Sequence, residues 1–79
     1  MHITGRRWFQ RTYGNTYHSV TIHKDDGTTE DSGIHYGYGD QHLQTAASML
    51  GIDYTGTRAL REEHGITWDV TDVARKRDL

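Results

Sequence analysis

The sequence predicts a small α+β domain in which one main helix packs on one face of an antiparallel sheet of three to four strands. Three observations support this prediction. Aromatic and β-branched residues are frequent in two segments flanking the turn dipeptide Gly14-Asn15. Apolar residues recur at helical spacing in the middle of the chain, and a short alternating segment lies near its end. The predicted order is β-β-β-α-(short α)-β, within one domain spanning residues 1–79.

The first strand is predicted over about residues 2–13 and the second over about residues 16–24. In the second strand one alternating set is the more apolar, and we expect it to point into the core: His18, Val20 and Ile22. In the first strand Trp8 and Phe9 are neighbours, so alternation directs them to opposite faces. The sequence leaves open which of these two side chains faces the core.

A second turn is predicted at Asp25-Asp26-Gly27, followed by a third strand over about residues 28–36. The main helix is predicted over about residues 40–50, with Asp40 as its N-cap and Gly51 as its terminator. A short helix is predicted over about residues 57–64. It is followed by a fourth strand and by a polar tail from about residue 75.

Charge is unevenly distributed along the chain, although the net charge is only -2. Residues 1–24 carry a charge of +4 without any acid, and residues 25–40 carry -5 without any base. The remaining residues, 41–79, sum to -1. The protein is therefore dipolar. General nucleic-acid binders usually have a net basic domain, so the totals argue against that class but allow a local contact patch.

The strongest candidate site is a basic and aromatic cluster in the predicted hairpin. Arginines contact phosphates or carboxylates in bidentate fashion, and aromatic rings stack on bases or anchor protein interfaces. The alternative is structural: one ring fills the core and the arginine stems cover the others. The predicted partner-binding residues are Arg6, Arg7, Trp8, Arg11, Tyr13, Tyr17 and His23.

Other chemistry finds little support in the sequence. The six histidines have no metal-ligand spacing and no cysteine accompanies them, so we expect no metal and no cofactor. The glycine-rich segment at residues 33–39 matches neither the dinucleotide fingerprint nor the phosphate loop. No nucleophile motif is present, so we expect a protein that is not an enzyme. Without a signal peptide, a long apolar segment or cysteines, the expected location is the cytoplasm, away from membranes.

Two resemblances to known groups of proteins add expectations. The segment from Tyr17 to Leu50 resembles the β-β-β-α part of double-stranded-RNA-binding domains, although Gly39 to His42 replace that family's lysine cluster. The blocks GRRWFQRTYGNTYHSV and GYGDQHLQTA resemble small uncharacterised proteins encoded by bacteriophages. The second resemblance implies an accessory protein of the host cytoplasm that binds a host or phage protein. An anti-defence role such as CRISPR inhibition is one specific case.

The function predicted from the sequence is therefore non-enzymatic binding of a macromolecular partner, most simply a host or defence protein complex. The alternative is a nucleic-acid-binding module that uses the same basic-aromatic hairpin. A chain of 79 residues with 33% hydrophobic residues has a small core, so a homodimer formed through an open sheet face or an edge strand is a further hypothesis.

Overall fold

The computed structural model describes all 79 residues and contains five strands, two α-helices and a short 3₁₀ turn. This confirms the α+β class and the position of the main helix. The elements are β1 His2–Gln10, β2 Asn15–His23, β3 Thr29–Asp31, β4 His35–Tyr36, α1 Gln41–Leu50, α2 Thr57–His64, β5 Thr67–Asp72 and the 3₁₀ turn Lys76–Asp78.

The five strands form one sheet in the order β3-β2-β1-β5, and β4 also pairs with β2. As predicted, β1 and β2 form an antiparallel hairpin, with His2 opposite His23 and Gln10 opposite Asn15. Strand β1 therefore lies between two neighbours, with β2 on one side and β5 on the other. Both α-helices follow the hairpin in the chain, and α1 packs against β2 and β1.

The last strand corrects the predicted antiparallel sheet, because β5 runs parallel to β1. The amide of Thr67 donates to the carbonyl of Met1, and the amide of Val73 donates to the carbonyl of Arg7. The chain passes through α1 and α2 before it re-enters the sheet beside the start of β1. It then runs in the direction of β1, along the side of β1 that β2 leaves free.

Two of the predicted strands differ in extent. Strand β1 ends at Gln10, where the carbonyl accepts the amide of Gly14, so residues 11–14 form the turn. The predicted third strand is divided into β3 and β4. Between them, the Ser32 amide donates to the carbonyl of Val20, and the Val20 amide donates to the Ser32 hydroxyl oxygen. The next residue, Gly33, has a positive φ of 74°. The chain therefore leaves the ladder at this point and rejoins β2 further along.

The core lies between α1 and one face of the sheet, and its apolar residues are few. Val20 and Ile22 are fully buried and His18 nearly so, which confirms the predicted inward face of β2. The core cluster comprises Ile3, Val20, Ile22, Leu43, Ala46, Leu60 and Ile66. No tyrosine, tryptophan or phenylalanine is fully buried, although Tyr54 and Trp68 pack against the cluster partly buried, so few large side chains contribute to stability.

The end of α1 agrees with the predicted Gly51 terminator, whereas its beginning differs from the predicted Asp40 cap. Gly51 and Gly65 end α1 and α2 in the left-handed conformation. Asp40 occupies the N-cap position of α1 without capping it, and its carboxylate instead accepts the hydroxyl of Tyr54 at 2.7 Å. Burial and this hydrogen bond raise the pKa of Tyr54 to about 12. The predicted polar tail is exposed and contains the 3₁₀ turn.

Two buried histidines lie at the interface between α1 and the sheet. The Nδ1–H of His18 donates to the carbonyl of Gly37 at 3.1 Å, and its Nε2 accepts the Thr45 hydroxyl at 2.6 Å. The Nδ1–H of His42 donates to the carbonyl of Gly39 at 3.1 Å, while its buried Nε2 has no partner. Burial lowers the pKa of both His18 and His42 below the ordinary value of 6.5.

These lowered pKa values predict that the fold loses stability in mild acid. Below pH 6.5 these histidines become protonated in the unfolded chain, whereas in the folded protein the lowered pKa values keep buried His18 and His42 neutral to lower pH. Above that pH these two groups do not reduce the free energy of unfolding. Below it, the free energy of unfolding should fall with decreasing pH by up to about 1.4 kcal/mol per pH unit for each histidine. Urea unfolding at a series of pH values down to about 5 measures this loss.

The matched control is His23→Gln, which removes an exposed histidine and should leave the loss unchanged. His42→Leu should reduce the loss, because it removes one of the two buried groups. A free energy of unfolding that stays constant across this pH range would contradict the account.

Candidate interaction surface at the hairpin end

The β1–β2 turn and the chain segments beside it form one end of the molecule, which we call the hairpin end: residues 7–17, 36–39 and 72–74. Strand β2 carries the turn of residues 11–14 at one end and the turn of residues 24–28 at the other. Acidic residues gather at the second turn and in β3: Asp25, Asp26, Glu30 and Asp31. The charge asymmetry of the sequence is therefore also an asymmetry in space, between the two ends of the hairpin.

A groove of about 670 Å³ opens on the helix-bearing side of the hairpin end. It lies between the end of β1, the segment before α1 and the residues that follow β5. Its lining includes two arginines, two aromatic rings, one acid and one aliphatic side chain: Arg7, Arg11, Phe9, Tyr38, Asp72 and Val73. The groove therefore offers both positive charge and apolar contact area.

Arg7 is fixed in the wall of this groove. Its Nε donates to Asp72 Oδ1 at 3.0 Å, and its Nη1 donates to the carbonyl of Gly39 at 3.2 Å. Arg11 lies in the exposed turn and makes no ion pair. The two arginines therefore differ in role: Arg7 joins β1 to β5 and to the segment before α1, whereas Arg11 is free to meet a ligand.

The exposed aromatic rings concentrate at this end. Phe9 is 55% exposed and Tyr38 is 69% exposed, and both line the groove. Tyr13 lies in the turn and is 74% exposed. Phe9 is on the helix-bearing face but beyond the helix, which answers the open choice between Phe9 and Trp8: neither ring lies in the core cluster.

Trp8 lies on the opposite, uncovered face of the sheet, within a row of three rings. The Trp8 and Tyr17 rings stack with centroids 5.8 Å apart, and Tyr36 meets Tyr17 edge-on at 5.6 Å. Each contact joins residues directly opposite each other on paired strands. Tyr36 is 64% exposed, so the row ends in a free ring. The hairpin end thus carries aromatic rings on both faces.

Two of the predicted site residues lie outside this surface. Arg6 points to the uncovered sheet face, where its guanidinium donates to the hydroxyls of Ser19 and Thr21. The Arg6 guanidinium is therefore used in hydrogen bonds within the sheet. His23 lies at the far end of β2, where its Nε2 is 3.0 Å from the Thr4 hydroxyl. The other predicted residues lie at the hairpin end, with Arg7 and Arg11 at the groove, Tyr13 in the turn, and Trp8 and Tyr17 on the uncovered sheet face.

The structure adds residues that sequence reasoning did not select. Tyr36 and Tyr38 join the surface because β4 pairs with β2 beside Tyr17. Asp72 and Val73 join it because β5 runs parallel to β1 and so ends at the hairpin end. The tyrosines were detectable as two aromatic residues within the glycine-rich segment 33–39. Nothing in the sequence indicated that Asp72 would lie at the hairpin end, because its position there depends on the direction of β5 relative to β1.

No family, curated protein or solved structure matches this chain. The structure brings no three histidine, cysteine, aspartate or glutamate side chains close enough to hold a metal ion. Both helices are too short and too polar to cross a lipid bilayer. The functional proposal therefore rests on the geometry of the hairpin end.

The different roles of the two arginines predict different effects on stability. Arg7→Ala removes an ion pair and a hydrogen bond to a carbonyl, so it should lower the free energy of unfolding by about 1 kcal/mol. Arg11→Ala removes no such contact and should change it by less than about 0.5 kcal/mol. Urea unfolding of both variants makes the comparison, and equal losses would show that Arg7 does not anchor the groove.

Proposed function

We propose that this protein acts without catalysis by binding a protein partner through the hairpin end. The observation that carries the proposal is the placement of the aromatic rings. The chain has eight aromatic residues, and six lie at this one end: Trp8, Phe9, Tyr13, Tyr17, Tyr36 and Tyr38. Four of them are more than half exposed, although the core of this small protein is poor in large side chains.

The free energy gained by burying such rings is large enough to support a specific protein complex. Burying one large apolar side chain is worth about 1.5–3 kcal/mol. The two exposed rings that line the groove, Phe9 and Tyr38, and Tyr13 in the adjoining turn therefore provide a gross gain within the range of the cost of ordering two proteins into one complex, about 4–15 kcal/mol. Contacts from arginine and tyrosine then add to this gain, and these residue types are typical of the energetic centres of protein interfaces.

A protein partner fits the charge of this surface better than a nucleic acid does. Arg7 is already paired with Asp72, which leaves Arg11 as the one arginine of the hairpin end without an acidic neighbour. Nucleic-acid binding normally depends on several phosphate contacts and a net basic domain. One free arginine beside exposed rings instead suits a partner surface that carries isolated carboxylates among apolar groups.

The charge separation between the two ends supports an acidic partner surface. Asp26 and Asp31, which have no ion-pair partner at the far end of the hairpin, would be repelled by such a partner, whereas Arg11 would be attracted. A dipolar molecule is therefore turned so that its hairpin end approaches first. The resemblance to small bacteriophage proteins extends the proposal to a host or defence complex as the partner, including a CRISPR effector as one specific case.

The second candidate function is binding of single-stranded nucleic acid, and one observation favours it. The row Trp8–Tyr17–Tyr36 lies on an uncovered sheet face, where successive rings can stack on bases. Affinity of this kind falls steeply with salt because bound counterions are released. Salt dependence therefore separates the two candidates.

Affinity capture from bacterial host lysate tests the proposal. Tagged protein should retain a discrete protein after nuclease treatment and at moderate salt. The double variant Phe9→Ala/Arg11→Glu should lose it, because both residues are exposed in the groove. Arg77→Glu is the control: it makes the same charge change at an exposed residue that, like Arg11, has no ion pair, and that lies outside the groove lining.

Equal capture by the double variant and by the unaltered protein would show that the hairpin end is not the binding surface. Recovery that disappears on nuclease treatment and weakens steeply with salt would favour the nucleic-acid candidate instead.

A further inference from the structure

Strand β5 forms one edge of the sheet, and half of its backbone groups face away from the protein. In the parallel ladder, Thr67 and Val73 direct their amides at β1, so the odd-numbered residues of this segment pair with β1. The N–H and C=O groups of Trp68, Val70 and Asp72 therefore point outward. No turn, loop or cap hydrogen bond of the chain uses them.

This edge lacks most of the usual protection against pairing with another chain. Natural edge strands are blunted by short length, proline, bulges or charged side chains, lysine above all. Of these devices β5 has only two charged side chains, Asp69 and Asp72. The opposite edge of the sheet is formed by β3 and β4, with three and two residues and a break between them. In contrast, β5 has six residues in regular register, TWDVTD, without proline or lysine.

We propose that the partner of this edge is a second copy of the same chain, paired antiparallel across a two-fold axis at Val70. In this register Val70 lies opposite Val70 of the second copy, and Trp68 lies opposite Asp72. The three residues whose backbone groups point outward, Trp68, Val70 and Asp72, then lie opposite one another across the two copies. Each pair exchanges two bonds, which gives six backbone hydrogen bonds from the three residues of each copy.

The charges of β5 favour this register. Asp69 lies opposite Thr71 of the second copy and Asp72 lies opposite Trp68, so no carboxylate faces another. Shifting the register by two residues to centre it on Asp69 places that carboxylate directly against its own copy, which is destabilising. A shift in the other direction, to Thr71, leaves Trp68 unpaired and reduces the number of bonds.

Two further side chains complement the second copy. The Arg61 guanidinium lies 5.3 Å from the centroid of the Trp68 ring. The Asp72 carboxylate that the second copy places opposite Trp68 already accepts a hydrogen bond from Arg7 of its own chain, so Arg61 would add a second cation beside that ion pair. Val70 is 36% exposed on the helix-bearing face beside Gly5, and the axis places it against its own copy. The edge thus gains apolar contact and charge pairing together with its backbone bonds.

This pairing engages only Asp72 of the hairpin end and leaves its turn, its exposed aromatic rings and Arg11 free. Because β5 runs parallel to β1, it ends at the hairpin end of its own copy. An antiparallel second copy therefore places its hairpin end at the opposite side of the dimer. The two copies would form one continuous sheet with two separate binding surfaces, so dimerisation and partner binding can be tested independently.

Sedimentation equilibrium of the full chain over a concentration series tests the proposal, together with hydrogen exchange. We expect a monomer–dimer equilibrium, and the amides of Trp68, Val70 and Asp72 should become protected as the dimer forms. Val70→Lys places two like charges at the axis and should raise the dimer dissociation constant at least about tenfold. Val70→Thr, which keeps a β-branched side chain, should retain the dimer.

A second variant tests the register. Thr71→Lys places a cation opposite Asp69 of the second copy, so it should tighten the dimer several-fold, whereas pairing centred on Asp69 would not predict this gain. Far-ultraviolet circular dichroism confirms that each variant is folded. A monomer at every concentration with rapid exchange at the three amides would overturn the proposal, as would a dimer that Val70→Lys does not weaken.

Discussion

The structure depends on one constraint: β1 lies in the interior of the sheet and is hydrogen-bonded to β2 on one edge and to β5 on the other. Its side chains therefore have only the two sheet faces available, and they alternate between them. Ile3, Gly5 and Arg7 point to the helix-bearing face. Gly5 is required there, because a Cβ atom at this position would lie 2.7 Å from Cδ2 of buried His42. The absence of a side chain at the centre of β1 is what lets α1 approach closely enough to enclose a core of so few residues.

The same strand determines both surfaces that we have proposed for binding. Toward its end, the side chains of β1 extend beyond α1, so Phe9 remains exposed and Arg7 reaches Asp72 of β5. The groove is the space between these elements. On the other side, β5 uses its odd-numbered residues to pair with β1 and leaves the even-numbered ones at the edge. Groove and edge are therefore two consequences of one parallel pairing.

Much of the local structure could be predicted from the sequence, because it depends on short-range signals. Gly14-Asn15 marked the hairpin turn, the alternation of His18, Val20 and Ile22 marked the inward face, and helical spacing marked α1. Strand direction could not be predicted, because alternation identifies the faces of a strand without showing which way it runs. The antiparallel sheet was therefore wrong at β5. The third strand was wrong in extent, because Ser32 and Gly33 interrupt it.

The candidate site was predictable in its residue types and less so in its geometry. Sequence reasoning selected Arg7, Trp8 and Arg11 correctly as neighbours, since they lie within one strand end and its turn. It also included His23, which lies in the same hairpin, but the nine-residue strands separate His23 from the hairpin end. Whether this surface binds a protein remains the proposal that capture experiments address.

The parallel pairing of β5 with β1 is the claim on which the groove and the free edge both depend. Nuclear Overhauser contacts between backbone protons of the two strands in isotope-labelled protein test it most directly. The account predicts contacts whose residue numbers rise together, from Ile3 with Trp68 through Gly5 with Val70 to Arg7 with Asp72. Contacts in which one number rises while the other falls would contradict it, and with it both the groove and the proposed dimer.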